Sequence, residues 1–215
     1  MHELAPIITV LSTYRPRRSR LRRGFRRAAV ALILRETRQG GEVLLIERAH
    51  RVGDPWSGHM ALPGGRLDTA DDASASTAAC RETREETGLV VSRGDGIGRL
   101  SDRTTLDHRR RAPMVVSPFV YRLAGDQPIR CNHEIAATRW LPLARLDEPI
   151  HRTTTAWPMG RLSVPVPCYY CAPHQRLWGL TLLILDELLD VARRGPSSFP
   201  WAKQLEPGRT SPSDH

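Results

Sequence analysis

Lysine is nearly missing from this chain of 215 residues: Lys203 is the only one, and 31 of the 32 basic side chains are arginine. Cysteine is sparse as well. Four of them (Cys80, Cys131, Cys168 and Cys171) are too few to read as a disulfide framework, so a reducing compartment, with the cytoplasm as default, is expected. Long apolar runs are missing too. The greasiest stretch, residues 180–185, is interrupted by Thr181 and closed by Asp186 and Glu187, far short of the roughly 18 apolar residues of a membrane-spanning helix. A membrane partner is therefore not expected. There is no internal repeat, and a chain of this length buries enough surface to need neither disulfides nor metals for its core.

Charge is present but unevenly placed. Residues 1–27 hold eight arginines against Glu3, a net +7, whereas the remaining residues hold 24 basic and 22 acidic groups, a net +2. The folded body is thus close to neutral and the excess sits on one arm, residues 1–26. Such an arm is most simply a solvated segment; it can also hold phosphates by counterion release, which makes nucleic acid a less favoured candidate partner. Residues 4–35 carry no acidic group, a composition shared with transit peptides, while residues 3–14 also read as a short amphipathic helix packed on the body. The tail from residue 196 to 215, rich in Pro, Ser and Gly, is expected to be disordered.

Between these ends, residues 27–195 read as one domain. Ala28-Ala29-Val30-Ala31-Leu32-Ile33-Leu34 is a strand-length apolar run, and Val43-Leu44-Leu45-Ile46 follows Gly40-Gly41, so the two form a hairpin. A Gly- and Pro-punctuated loop leads to an Ala-rich stretch, residues 72–87, expected as a helix that starts at an Asx cap and stops at Gly88. Residues 114–122, 138–141 and 164–171 read as strands, the last at an edge because of Pro165 and Pro167. Cys168 and Cys171 read as packed strand cysteines, and Trp56 and Trp178 as loop or core packing. Residues 177–194 form a closing helix with Leu180, Leu183, Ile184, Leu188 and Val191 on one side. Strands with one helix between them and another at the end give a mixed α/β/α sandwich.

The chemistry concentrates in Arg81-Glu82-Thr83-Arg84-Glu85-Glu86-Thr87-Gly88-Leu89. On a helix Glu82, Glu85 and Glu86 stand at i, i+3 and i+4, three carboxylates within one turn. They repel one another, and they lie near a helix C-terminus, where the dipole disfavours anions. Hard oxygen ligands in that arrangement suit Mg2+ or Mn2+, with coordination positions left for water and phosphates. Arg81, four residues before Glu85, can pair with it. In front, Leu62-Pro63-Gly64-Gly65 lets backbone approach a ligand closely.

Gly65 followed by Arg81-Glu82-Thr83-x-Glu85-Glu86-x-Gly88-Leu89 resembles the Nudix box, whose second half it matches at every specified position. In the first half Asp71 stands where that family usually has Glu, and nine residues rather than seven separate it from the arginine. Gly64-Gly65-x-x-Asp68-x-x-Asp71, together with Leu44-Leu45-Ile46-Glu47-Arg48 upstream and Ser117-Pro118-Phe119-Val120 downstream, is similar to the coenzyme A pyrophosphatase branch. The resemblance implies an α/β fold, a Nudix-type α/β/α sandwich with a mixed β-sheet. It also implies a pyrophosphohydrolase for a small-molecule diphosphate, coenzyme A, acyl-coenzyme A, ADP-ribose or a dinucleotide.

On that resemblance Glu82, Glu85 and Glu86 are the expected metal ligands, joined by a backbone carbonyl of the Gly64-Gly65 turn. The base is Glu82 or an acid outside the box such as Glu134, and Arg81 belongs to the catalytic set. Arg109-Arg110-Arg111, in a loop, either holds a terminal phosphate of the substrate or is simply solvated. A second copy of the chain, giving a homodimer, is a further candidate partner. The alternative class is a weakly catalytic module that binds nucleotide or RNA through the arginine arm.

Overall fold

The computed structural model describes residues 4–54, 56–68, 71, 74–107, 112–159, 162–173 and 175–193. The expected tail, residues 196–215, and the Arg109-Arg110-Arg111 segment lie outside the described residues.

Strands β1 (Arg26–Thr37) and β2 (Gly40–Arg48) form the expected hairpin. It turns at Gly40, whose φ of 118° belongs to glycine. β1 is the central strand of an eight-stranded mixed sheet. Along one edge it runs parallel to β7 (Ala112–Arg122), from Arg26 opposite Met114 to Leu34 opposite Arg122. Along the other it is antiparallel to β2 near its end and to β4 (Gly64–Arg66) near its start. β3 (Met60–Ala61) and β8 (Ile135–Pro142) flank β2, while β5 (Gly96–Arg99) and β6 (Arg103–Asp107) pair with β7.

A strand covered on both faces carries apolar residues at successive positions, which is why residues 28–34 read as an unbroken run. The pleat sorts them into two cores. Ala29, Ala31 and Ile33 join Leu44 and Tyr121 under α2 (Ala75–Thr87), whereas Leu32 and Leu34 join Val43, Leu45 and Val120 beneath α1 (Leu4–Thr13) and α4 (Gly179–Arg193). The sandwich is therefore α2, sheet, then α1 with α4. A short helix, α3 (Leu143–Leu146), follows β8, and β9 (Arg152–Met159), β10 (Leu162–Ala172) and β11 (Gln175–Trp178) form a separate antiparallel sheet.

Three sequence expectations shift. α2 starts at Ala75 rather than residue 72, and its cap is Ser74, whose hydroxyl accepts from the Thr77 N–H, not an Asx side chain. β10 is the middle strand of its sheet, not an edge. Its prolines are tolerated because both fall where β10 is paired with β9 alone; β11 is paired only from Cys168 onward. Leu177 and Trp178 belong to β11, so α4 begins at Gly179, and Leu183 is 50% exposed while Leu182, Leu185 and Leu189 are buried. The inward arc is wider than one stripe because both the sheet and α1 pack on this helix. Cys168 and Cys171 are buried free thiols on β10, as expected of packed strand cysteines.

The N-terminal segment is tied to the body rather than solvated throughout. α1 buries Leu4, Ile7 and Leu11, the i, i+3, i+7 stripe of an amphipathic helix. Tyr14 donates its hydroxyl to Glu187 at 2.7 Å; Arg17 N–H donates to Ser101 Oγ at 3.0 Å, and Ser19 N–H to Asp102 at 2.8 Å. Among the described residues no helix is long and apolar enough to cross a membrane. Leu11 is 3% exposed and lies against Gly98 of β5, so Leu11→Ala is expected to cost about 2–4 kcal/mol in urea denaturation. A change within about 0.5 kcal/mol is what an undocked helix would give.

Candidate active site

The site is made by laying α2 on β4 with no side chain between them. Gly64 has φ 153°, and a Cβ there would sit 2.3 Å from the Ala29 carbonyl oxygen. A Cβ on Gly65 would sit 2.3 Å from the Glu82 carboxylate. The double glycine therefore lets a carboxylate rest on strand backbone, and the Gly64 N–H donates to Glu86 at 2.9 Å. Buried threonines satisfy their hydroxyls within α2: Thr83 Oγ1 donates to the Ala79 carbonyl at 2.7 Å and Thr87 Oγ1 to the Thr83 carbonyl at 2.6 Å. Gly88, with φ 73°, ends α2 by donating its N–H to the Arg84 carbonyl.

Arg81 organises the outer half of the cluster. It pairs with Glu85 at 3.1 Å, the i, i+4 contact expected from spacing, and also reaches Glu82 at 3.0 Å. Its main anchor is Asp71, which accepts from Nε at 3.0 Å and from Nη2 at 3.1 Å, while Nη2 also donates to the Arg66 carbonyl at 3.1 Å. Asp71 is fully buried. The Arg81 hydrogen bonds hold its carboxyl below the ordinary carboxylate range, and Arg81 in turn is raised above the usual guanidinium value. The acid at the family's Glu position thus sits on the arginine of the box, not on the carboxylate face. Sequence spacing gave no sign of this, since Asp71 lies outside α2 and ten residues separate the pair.

Glu86 is 5% exposed. Burial pushes its carboxyl up to about 8, opposed by the Gly64 N–H and the charge of Arg48 and reinforced by Glu82 and Glu134. Glu82 is also raised, again first by burial, with Arg81 opposing. Glu85 is half exposed and turned toward Arg81. Among the described residues no three His, Cys, Asp or Glu side chains close on a common point. The donor chemistry nevertheless fits a hard divalent cation. Two carboxylates are held against strand backbone, and the direct hydrogen-bond donor to buried Glu86 is a neutral amide, so a cation would relieve its desolvation.

The rim comes from residues distant in sequence. Glu134 lies just before β8, where Ala49 N–H donates to its carbonyl at 2.8 Å, and its carboxylate pairs with Arg51 at 3.1 Å. Its charge adds to the causes that raise the Glu86 carboxyl. Arg48 pairs with Asp54 at 2.9 Å. Beyond it Trp56, His59, Trp157 and Trp178 pack as four rings, with Trp56 and Trp157 parallel within 8° and Trp178 Nε1 donating to His59 Nδ1 at 3.3 Å. Trp56 and Trp178 are therefore packing residues, as expected; Trp157 and His59 were not read from the sequence, because nothing local marks a partner some hundred residues away. Arg109, Arg110 and Arg111 lie outside the described residues.

A family model of the NUDIX domain matches residues 24–159, more than half of the chain. The chain is 38% identical over 108 residues to the uncharacterized protein C14C4.10c of Schizosaccharomyces pombe, a match covering 48% of this chain and 32% of that protein, so it spans about a third of that relative's length. It is 32% identical over 179 residues to the mitochondrial coenzyme A diphosphatase NUDT8 of Homo sapiens, covering 82% of this chain and 74% of that protein. It is 30% identical over 185 residues to the uncharacterized Nudix hydrolase NudL of Escherichia coli strain K12, covering 81% and 86%.

Because Asp71 is buried and Arg81 about a quarter exposed, Asp71→Asn is expected to lower stability by about 1–3 kcal/mol, discounted for solvent screening. Glu85→Gln, at an exposed carboxylate, should change it by less than about 0.5 kcal/mol. Chemical denaturation of the two variants separates the anchor from the surface pair.

Proposed function

This chain belongs to the Nudix family, and from that premise we propose that it hydrolyses the diphosphate bond of coenzyme A or acyl-coenzyme A to 3′,5′-ADP and phosphopantetheine or its acyl form. The observation that carries the hydrolase reading is the pair of carboxylates, half-buried Glu82 and buried Glu86, seated on the Gly64-Gly65 backbone. The substrate reading is supported by the identity of 32% over 82% of this chain to a relative named as a coenzyme A diphosphatase.

Nudix hydrolases generally need divalent metal ions. Glu82, Glu85 and Glu86 are the residues that would hold Mg2+ or Mn2+ here, with a backbone carbonyl of the glycine turn. Such ions supply charge neutralisation at the diphosphate and acidification of a bound water. The chain's own groups do the rest. Arg81, pinned by Asp71, fixes the Glu82 and Glu85 carboxylates, so little reorganisation is required when substrate charge arrives. Glu86 is kept in place by Gly64. Glu82 or Glu134 takes the proton from the attacking water: Glu82 is adjacent and raised in pKa, whereas Glu134 is more exposed and held by Arg51.

A substrate panel with Mg2+ or Mn2+ tests this reading, comparing wild type with Glu86→Gln on coenzyme A, acyl-coenzyme A, ADP-ribose, a dinucleotide and nucleoside triphosphates. Release of 3′,5′-ADP from the coenzyme A members, reduced about a hundredfold or more in the variant, is expected. Preference for ADP-ribose or a dinucleotide would keep the hydrolase and discard the substrate; absence of turnover on every member would discard both.

Glu86 also sets a pH dependence. With its carboxyl at about 8 in the metal-free folded state, and about 4.3 in the unfolded chain, the folded state binds the extra proton between those values. Its contribution to stability therefore falls as pH rises through that window and levels off above it. A cation competes with the proton, so stabilisation by Mg2+ should be small at pH 6 and larger at pH 8.5. Thermal denaturation in EDTA and in Mg2+ checks this, with Glu86→Gln expected to flatten both trends.

A further inference from the structure

Where β1 begins, one residue before it pairs with the β4 strand that carries Gly64 and Gly65, the arm borders a cavity of about 660 Å³ lined by Arg18, Ser19, Arg20, Arg22, Arg23 and Arg27. Its volume is in the range of small-molecule sites, yet its lining contains five guanidinium groups, no acid and no aromatic ring. The anion that organises it, Asp102, is fully buried beneath. Asp102 accepts from Ser19 N–H at 2.8 Å and Ser117 Oγ at 2.8 Å, lies 3.5 Å from Arg22 Nε, and is also paired with Arg99. One carboxylate thus serves two arginines. Among the described residues Arg18, Arg20 and Arg23 make no side-chain hydrogen bond or ion pair, and all three are exposed.

Like charges do not collect in a concavity without cost. Burial and the charge of Arg22 lower Arg27 below the ordinary guanidinium value. The arm is nevertheless held in this shape by backbone bonds: Asp102 N–H donates to the Arg17 carbonyl at 2.9 Å, and a single helical turn over Arg20–Arg23 is capped by Ser19. The arginines are therefore presented by fixed backbone, not by a loose tail. A second cavity of about 310 Å³ shares Arg27 with the first and is lined further by Phe25, Arg26, Arg66 and Leu67, so the positive surface continues toward β4.

We propose that this arginine-lined cavity, whose lining shares no residue with the carboxylate cluster, is a second binding site for a compact small anion carrying two or more phosphate groups. Planar guanidinium groups grip phosphate oxygens in pairs, and several converging on one concavity select clustered charge over a single phosphate. Among the described residues, the six lining the larger cavity include no aromatic ring, and Phe25 is the one ring lining the second. The pair thus offers no series of stacking platforms of the kind that sequence-independent binding of single-stranded nucleic acid relies on. The same chemistry can come from an inorganic polyphosphate or from a nucleotide bearing separate phosphates.

Calorimetric titration of the full chain in EDTA tests the proposal without involving catalysis. The probes are tripolyphosphate, adenosine 3′,5′-bisphosphate, orthophosphate and a single-stranded RNA. One or both of the first two should bind wild type and Glu86→Gln alike, more tightly than orthophosphate and with affinity that falls as salt rises; the tighter of the two identifies the source. Arg20→Gln/Arg23→Gln, at exposed positions, should weaken that binding by about tenfold or more. Arg15→Gln/Arg17→Gln removes the same charge outside the cavity and should leave it within about threefold. Equal weakening by both pairs, loss of binding in Glu86→Gln, no binding of either probe, or RNA binding tighter than either would overturn it.

Discussion

The close approach of α2 to β4 is the constraint on which the rest of this structure depends. Gly64 and Gly65 present bare backbone, so Glu86 can be buried and Glu82 half-buried against a strand. Burial of carboxylates is unfavourable by itself, and three features offset it. Arg81 compensates Glu82, a backbone amide meets Glu86, and the small residues of α2, Ala75, Ala78 and Ala79, bring the helix down onto Ala29, Ala31 and Ile33. Alanine faces alanine across that layer, and this lets the helix sit low enough for the glycine contacts to form.

Asp71 shows how the same interface is locked from outside. It is the buried end of a chain of charge that runs through Arg81 to Glu82 and Glu85. Truncating a buried partner leaves the other charge uncompensated, so the anchor matters more to geometry than its modest net energy suggests. Among the described residues Glu85, half exposed, is held by Arg81 alone, whereas Glu82 and Glu86 also rest on the glycine backbone.

Arginine is concentrated at the start of β1, beside the strand pair on which the carboxylates rest. The N-terminal segment crosses the β5 side of the sheet, leaving α1 on one face and its arginine turn beside the start of β1, with Asp102 as the common tether. Net charge alone suggested a solvated arm. Its backbone bonds to Ser101 and Asp102 convert it into a wall of the folded body, which gives the positive charge a fixed shape.

Local chemistry determined much of this protein in advance. The apolar run of β1, the hairpin with β2, the end of α2 at Gly88, the carboxylate spacing and the Arg81–Glu85 contact all follow from periods of two or 3.6 residues and from backbone rules at glycine. So does the burial of α1, whose stripe is visible in ten residues. Tertiary structure alone decided what distant segments do to one another. Asp71 reaches Arg81 from outside α2; Leu177 and Trp178 leave the closing helix because β10 offers a pairing edge; Trp56 meets Trp157 only after β9 folds back. The elevated pKa of Glu86 depends on burial, which no sequence period encodes, since desolvation is a property of everything packed around a group and not of its neighbours along the chain.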